Sequence, residues 1–172
     1  SEVLKPAYCK LRVGALLTNI FAGNVTKDKE LRYISGNVLT GKLIPANGFL
    51  GAFDSQLTVI PEGNDIHEML GWIKPRFDQY SVNRSYFSWL MAKKEYTLDA
   101  RVKGGERHMI MSGEYDKVFP MDILPEFLIK AIIAGDIDRM EALGIYEVAP
   151  EDFALCEFVD SSKLELQRIV RA

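Results

Sequence analysis

The sequence predicts an α+β fold in two parts, and three observations carry that reading. Residues 1–62 alternate β-rich, glycine-punctuated runs with one short apolar helix pattern. Residues 113–172 carry closely spaced helix caps and wide apolar stripes. The chain has 172 residues, 48% apolar and 26% charged, which is an ordinary balance with enough length for a real core.

In the first part "YCKLRVG" (8–14) reads as a strand ending in a glycine. "ALLTNIFAG" (15–23) reads as a short helix with Leu16, Ile20 and Phe21 on one face and Gly23 as its stop. "RYISGNVLTGKLI" (32–44) and "GFLGAFDSQLTVI" (48–60) are β-rich runs broken by glycines, the second bent or paired. Strand, helix and further strands within some sixty residues suit a small β-grasp-like unit over 1–62.

A connector over 63–112 follows Pro61. Asp65 and Glu68 have the spacing of a capping box before a short helix at 69–73. A strand is expected at 78–82, and Asn83 as the cap of a helix over 84–91. "TLDARVKGGERHMIM" (97–111) places a Gly-Gly turn before a short apolar strand.

The helical part spans 113–172. Asp122 is placed to cap a helix in which Leu124, Phe127, Leu128, Ala131 and Ile132 form an apolar stripe, with Pro125 in the first turn and Gly135 past the end. Asp136 caps the next helix, which Gly144 closes. Pro150 stands where a first-turn proline belongs, before "EDFALCEF". Ser162 and Glu165 have capping-box spacing for the last helix. Four short capped helices predict a bundle.

Charge and composition narrow the function. Lys plus Arg number 21 and Asp plus Glu 24, a formal net charge of −3, which gives no electrostatic case for nucleic acid or an anionic membrane surface. The longest uncharged run, 13–26, contains Asn19 and Asn24 and is too short to span a bilayer. The N-terminus does not read as a signal peptide. Cys9 and Cys156, far apart in sequence, predict a reducing compartment rather than a disulfide framework. The chain opens at Ser1 without an initiator Met and closes on an amphipathic stretch with no stop signal, which predicts a piece of a longer protein.

Catalytic and metal-binding signals are sparse, so no catalytic, cofactor or metal residue is assigned. His67 and His108 stand in no ligand spacing with Cys, Asp or Glu. There is no GxGxxG or Walker-type loop. Gly104-Gly105 reads as a tight turn before it reads as an anion nest. Glu151 and Asp152 sit in a first helical turn, where the helix dipole explains them. Cys156 ends a short acidic and apolar helix and could be a cluster ligand, a nucleophile or a core residue. A four-iron cluster takes four thiolates and the chain has two cysteines, while Leu155 and Phe158 flank the thiol and Glu157 is expected to raise its pKa. Cys156 reads as core.

Several segments carry a family resemblance. "RYISGNVLTGK" (32–42), "LGWIKPRFDQYSVNRSYFS" (70–88), "GGERHMI" (104–110), "MDILPEFLIKAIIAGD" (121–136) and "EALGIYEVAPEDFALCEFV" (141–159) resemble, in collinear order, the C-terminal part of the A-subunit family of sodium-translocating NADH:quinone reductases. The resemblance implies a soluble-ligand-binding β-grasp domain followed by a helical domain. Both would be related to parts of the NADH-binding subunit of respiratory complex I and of the cluster-bearing subunit of the Rnf complex. In those relatives the bundle carries cluster-ligating cysteines; here only Cys156 stands on it. It further implies a peripheral subunit on the cytoplasmic face of the bacterial inner membrane, in a sodium-pumping complex that uses NADH, flavins, iron centres and ubiquinone. The 172 residues are expected to hold none of these cofactors and to be inactive alone. The implied partners are the other subunits of the complex, above all a membrane subunit, with ubiquinone as a further ligand. A second reading is a stand-alone module that binds a quinone or another apolar ligand.

One stretch is expected to meet a partner. Residues 72–89 hold Trp72, Phe77, Tyr80, Tyr86, Phe87 and Trp89, six of the 18 aromatics, beside Lys74, Arg76 and Arg84. Aromatic rings mixed with arginine are what interface hot spots favour. The same rings would also serve to fill a seam between domains. Helical phase over 84–91 puts Phe87 with Leu90 or Met91 on one face, so Arg84, Tyr86 and Trp89 are the residues expected to be exposed and near a partner.

Overall fold

The structure is a computed structural model that describes residues 2–64, 75–81, 84–91, 95–102 and 107–172. It is α+β and divides into two compact units, Ser1–Arg101 and Val102–Ala172.

The first unit is built on a three-stranded antiparallel sheet of order β2-β1-β3, with β1 Leu31–Ser35, β2 Lys42–Ile44 and β3 Leu57–Pro61. Tyr33 pairs with Ile44 on one side and Val59 on the other, so these three side chains share one sheet face. A single helical turn, α1 (Thr18–Phe21), completes the core, in which Leu17, Phe21 and Val59 are buried against Leu31, Tyr33 and Ile44. The Phe21 and Tyr33 rings meet at 4.6 Å, tilted by 54°.

The β1–β2 connection is held by Asn37, whose side-chain oxygen accepts the Leu39 and Thr40 N–H groups at 2.8 and 2.9 Å. Gly41 closes it with no room to spare. A Cβ there would meet the Asn37 carbonyl oxygen and the Ile34 side chain. Ser35, 2% exposed, ties the long connection to β3, donating from its hydroxyl to Asp54 at 2.5 Å and accepting from Gly51 N–H at 2.8 Å.

The second unit holds α2 (Pro125–Ala134), α3 (Ile137–Ala142), α4 (Ala154–Val159) and α5 (Leu166–Arg171). Pro125 opens α2, and Gly135 ends it in the left-handed conformation (φ 68°) that glycine takes without steric cost. Asp136 caps α3 by accepting the Arg139 N–H. Pro150 opens a 3-10 turn, Pro150–Phe153, that runs into α4, and Asp152 accepts the Ala149 N–H across it. The core is Tyr115, Leu128, Ile129, Phe153, Cys156 and Leu166, with Phe119 packed on Phe153 at 4.8 Å.

Several local expectations are corrected. Residues 8–14 form no strand, because the described chain offers them no partner. The first helix is four residues long, and Leu17 rather than Leu16 enters the core. Within 48–60 Phe49 makes only an isolated bridge and the sheet pairing starts at Leu57, because the glycines and Asp54 between them form tight turns. Residues 78–81 and 107–111 are not strands, and helical structure within 84–91 is a 3-10 turn, Phe87–Leu90. Leu124, not Asp122, occupies the cap position of α2, and the buried stripe is rotated. Leu128, Ile129 and Ala131 are buried, while Leu124 and Phe127 are each 53% exposed. Ser162 does not cap α5; its hydroxyl accepts the Ile110 N–H instead, and Glu165 stands at the cap position. The helix expected at 69–73 with its capping pair, together with His67, Trp72, Lys74, Asn83, Gly104 and Gly105, lies outside the described residues.

Candidate functional site

The aromatic stretch places its arginines on rings. The Arg84 guanidinium lies 5.9 Å from the centre of the Trp89 ring, and the Arg76 guanidinium 5.5 Å from that of Tyr86. Phe77 approaches Phe87 at 6.0 Å, and Tyr80 meets Tyr96 edge-on at 5.8 Å. The Tyr96 hydroxyl donates to the carbonyl of Ser88, which is buried. Arg84 adopts φ 54°, a left-handed conformation that costs a side-chain-bearing residue about 1 kcal/mol.

Exposure does not follow helical phase. Arg84 is exposed and Trp89 is 52% exposed, as expected, but Tyr86 is only half-buried. Phe87 (49%) and Leu90 (61%), expected on the hidden face, are open. A 3-10 turn repeats every three residues, so a phase read at 3.6 misplaces side chains within one turn. The result is a broader apolar and cationic surface than Arg84, Tyr86 and Trp89 alone.

A second feature went unread in the sequence. An open groove of about 480 Å³ lies at the end of the sheet where β1 begins and β2 and β3 end. Leu31, Tyr33, Leu43, Ile44 and Pro45 supply its apolar lining, and Arg32 with Glu62 its polar rim. Arg32 donates two hydrogen bonds to the Glu62 carboxylate, from Nε at 2.7 Å and from the guanidinium tip at 2.5 Å. That bonding holds the Glu62 carboxyl below its usual range and raises Arg32. The partners are 30 residues apart, and no local pattern announces such a pair.

Around Cys156 the donor chemistry is that of a core. The thiol has no solvent exposure, and burial first, then the Asp116 charge, pushes its pKa up to about 12. Glu157, expected to be the cause, instead accepts the Gln167 N–H. Buried carboxylates nearby are already occupied. Asp160 accepts the Ser162 and Leu164 N–H groups, and Glu126 accepts from Ser112 and Gly113. The Tyr115 hydroxyl is buried without a hydrogen-bond partner among the described residues, and burial and Asp160 raise its pKa. Cys9 is exposed and belongs to the other unit. One protonated thiol ringed by bonded carboxylates does not fit an iron–sulfur cluster, which takes thiolates. Among the described residues no three His, Cys, Asp or Glu side chains are grouped as a metal site. His108 is exposed, and Glu151 pairs with Arg171 at 3.0 Å.

Comparison with known proteins gives these surfaces a context. Residues 1–45 match the family model of the NQRA C-terminal domain. The A subunit of the Na(+)-translocating NADH-quinone reductase of Rhodopirellula baltica is 40% identical over 171 residues, 99% of this chain and 37% of that protein. The corresponding subunits of Neisseria meningitidis and Yersinia pestis are each 39% identical over 99% of this chain and 38% of their own length. The chain matches the C-terminal part of the A subunit of this reductase. The family resemblance carried by the sequence motifs is therefore shown, and it extends over essentially the whole chain. The chain spans less than two fifths of the length of the relatives it matches. Among the described residues no helix is long and apolar enough to cross a membrane.

Proposed function

We propose that the chain works as part of the A subunit of a sodium-translocating NADH:quinone reductase, contributing contacts within that complex rather than catalytic groups. The observation that carries this reading is the near-complete match, at about 40% identity, to proteins named as that subunit. In this reading residues 1–62 are a soluble-ligand-binding β-grasp domain, 63–112 a connector and 113–172 a helical bundle that shares ancestry with cluster-binding bundles. The protein sits peripherally on the cytoplasmic face of the inner membrane, and NADH, flavins, iron centres and ubiquinone belong to the assembled complex.

The partner surface is Arg84, Tyr86 and Trp89, widened by Phe87 and Leu90. The exposed Trp89 ring and the half-buried Tyr86 ring, each beneath an arginine guanidinium, support it, because such pairs desolvate well at the centre of an interface. The test is to place the chain in a tagged full-length protein of this family and count the other subunits that co-purify. Trp89→Ala and Arg84→Ala are expected to weaken recovery by about tenfold or more, a hot-spot loss of ~1.4–2 kcal/mol, with the thermal midpoint nearly unchanged. Unfolding with recovery spared would make these rings core and sink the docking assignment.

A second reading rests on the groove at the end of the sheet. Its apolar lining with one polar rim is the composition of a site for a flat apolar ligand such as a quinone. Saturable micromolar quenching of tryptophan fluorescence by a soluble quinone, lost in Leu43→Asp, would support it. A linear, unsaturated response would remove it.

A further inference from the structure

Residues 4–14 are the most open stretch of apolar chain in the first unit. All eleven are exposed, with Val13 at 100% and Tyr8 completely free of cover. Among the described residues the one backbone hydrogen bond made by 8–13 runs from the Ala15 N–H to the Arg12 carbonyl, where Gly14 (φ 78°) turns the chain. Beyond that turn the chain joins the domain, Leu16 bridging Phe49 in antiparallel fashion and Leu17 donating to the Gly48 carbonyl. The open stretch is nonetheless patterned. Cys9, Leu11 and Val13 alternate with Tyr8, Lys10 and Arg12, which is the period-two signature of a strand with one apolar and one basic face. It also lies inside the region matched by the family model, so it belongs to the domain rather than to a tail.

An amphipathic stretch whose backbone groups are almost all unpaired among the described residues, and whose apolar side chains are exposed, suits a sheet edge. We propose that 8–13 adds as a strand to a sheet in the part of the full-length protein that lies outside this chain, its Cys9, Leu11 and Val13 face turned to that part's core. The occupant is indicated by length. More than three fifths of each matched relative is absent here, while the described residues of the chain leave 8–13 without a strand partner. The inference rests on the proposed place of the chain in the reductase, but it is read without any other subunit present.

Cys9 makes the test direct, because it is an exposed free thiol and the other cysteine is buried. A full-length protein is assembled by replacing the matched region of the Rhodopirellula baltica relative with this chain. Maleimide labelling of Cys9 and hydrogen exchange over 8–13 are then compared with the isolated chain. At least a tenfold slowing of both in the full-length protein is expected. Equal rates in a monodisperse full-length protein would overturn the proposal. So would slowing that appears in the isolated chain as its concentration rises, which would make the occupant a second copy. Val13→Asp supplies an arm that needs no full-length protein: the isolated chain should melt as the wild type does, since Val13 is fully exposed there. A large loss of stability in that variant would show that the strand is satisfied within the chain and would equally overturn the proposal. Failure of the proposed place in the reductase is registered elsewhere, as loss of co-purifying partners with Cys9 still protected.

Discussion

The Cys156 thiol points at the Tyr115 carbonyl oxygen from 4.0 Å, across 41 residues of sequence, in a place water does not reach. The contact ties α4 to the 3-10 turn Tyr115–Lys117 that precedes α2. A thiol so placed is a small apolar side chain with a weak donor, not a nucleophile.

From this follows a measurable thiol chemistry. In native protein Cys9 is expected to react at once with a thiol reagent and Cys156 only after denaturation. The folded thiol, pushed up to about 12, keeps its proton where the unfolded chain, at the ordinary 9.0, has lost it. Its stabilising contribution is complete below that ordinary value and declines as the pH rises from there toward the folded one. The stability of wild type relative to Cys156→Ala should therefore shrink as the pH is raised through this window. A difference that stays level would contradict the assignment.

Glu126 is a buried carboxylate, 4% exposed, and one of its oxygens accepts from the Ser112 N–H, the Ser112 hydroxyl and the Gly113 N–H at 3.1, 3.2 and 2.7 Å. Glu126→Ala strands three donors and should cost about 3 kcal/mol in chemical denaturation. Glu126→Gln keeps an accepting oxygen and should recover part of the loss. Equal effects of the two substitutions would mean that packing, not hydrogen bonding, is what Glu126 supplies.

Gly41 shows how tightly the β1–β2 connection is drawn. A methyl group at this position would overlap the Asn37 carbonyl and the Ile34 side chain, so Gly41→Ala must push the connection off β1. A loss of ~1–3 kcal/mol is expected in thermal or urea unfolding. A neutral result would show that the connection is free to shift.

The Arg32–Glu62 pair predicts the acid side of the stability curve. The folded Glu62 carboxyl lies below its unfolded value, chiefly through the Arg32 hydrogen bonds, so its contribution is present above the unfolded pKa and is lost as the pH falls through the folded one. The difference between wild type and Glu62→Gln should be constant at neutral pH, decline once the pH falls below the unfolded carboxyl value and vanish below the folded one. Both side chains are partly open to solvent, so the difference should be small and should fall with added salt. A difference that persists unchanged at low pH would refute it.

The sequence by itself determined the α+β class, the resemblance to the A-subunit family, and the features whose cause is local. Gly135 and Gly144 end helices, Asp136 caps one and Pro150 starts another because each effect acts within one turn of its own backbone. The burial of Cys156 was legible too, since apolar neighbours and a count of two cysteines required no knowledge of the fold. Tertiary structure decided what depends on partners far away in the chain. Residues 8–13 have the alternation of a strand but no strand neighbour among the described residues, and alternation alone cannot supply one. Ser162 has a capping residue's chemistry, yet the Ile110 N–H, 52 residues away, claims its oxygen. The buried side of α2 was misread by a fraction of a turn because the surfaces that cover Leu128 and Ile129, those of Phe153 and Leu166, lie in later helices. Exposure of Phe87 and half-burial of Tyr86 depended on whether one turn was wound with three residues or 3.6, a choice tertiary contacts make for so short a segment. Propensity and capping act over a few residues, whereas burial is a property of two surfaces, and only the folded chain brings the second one.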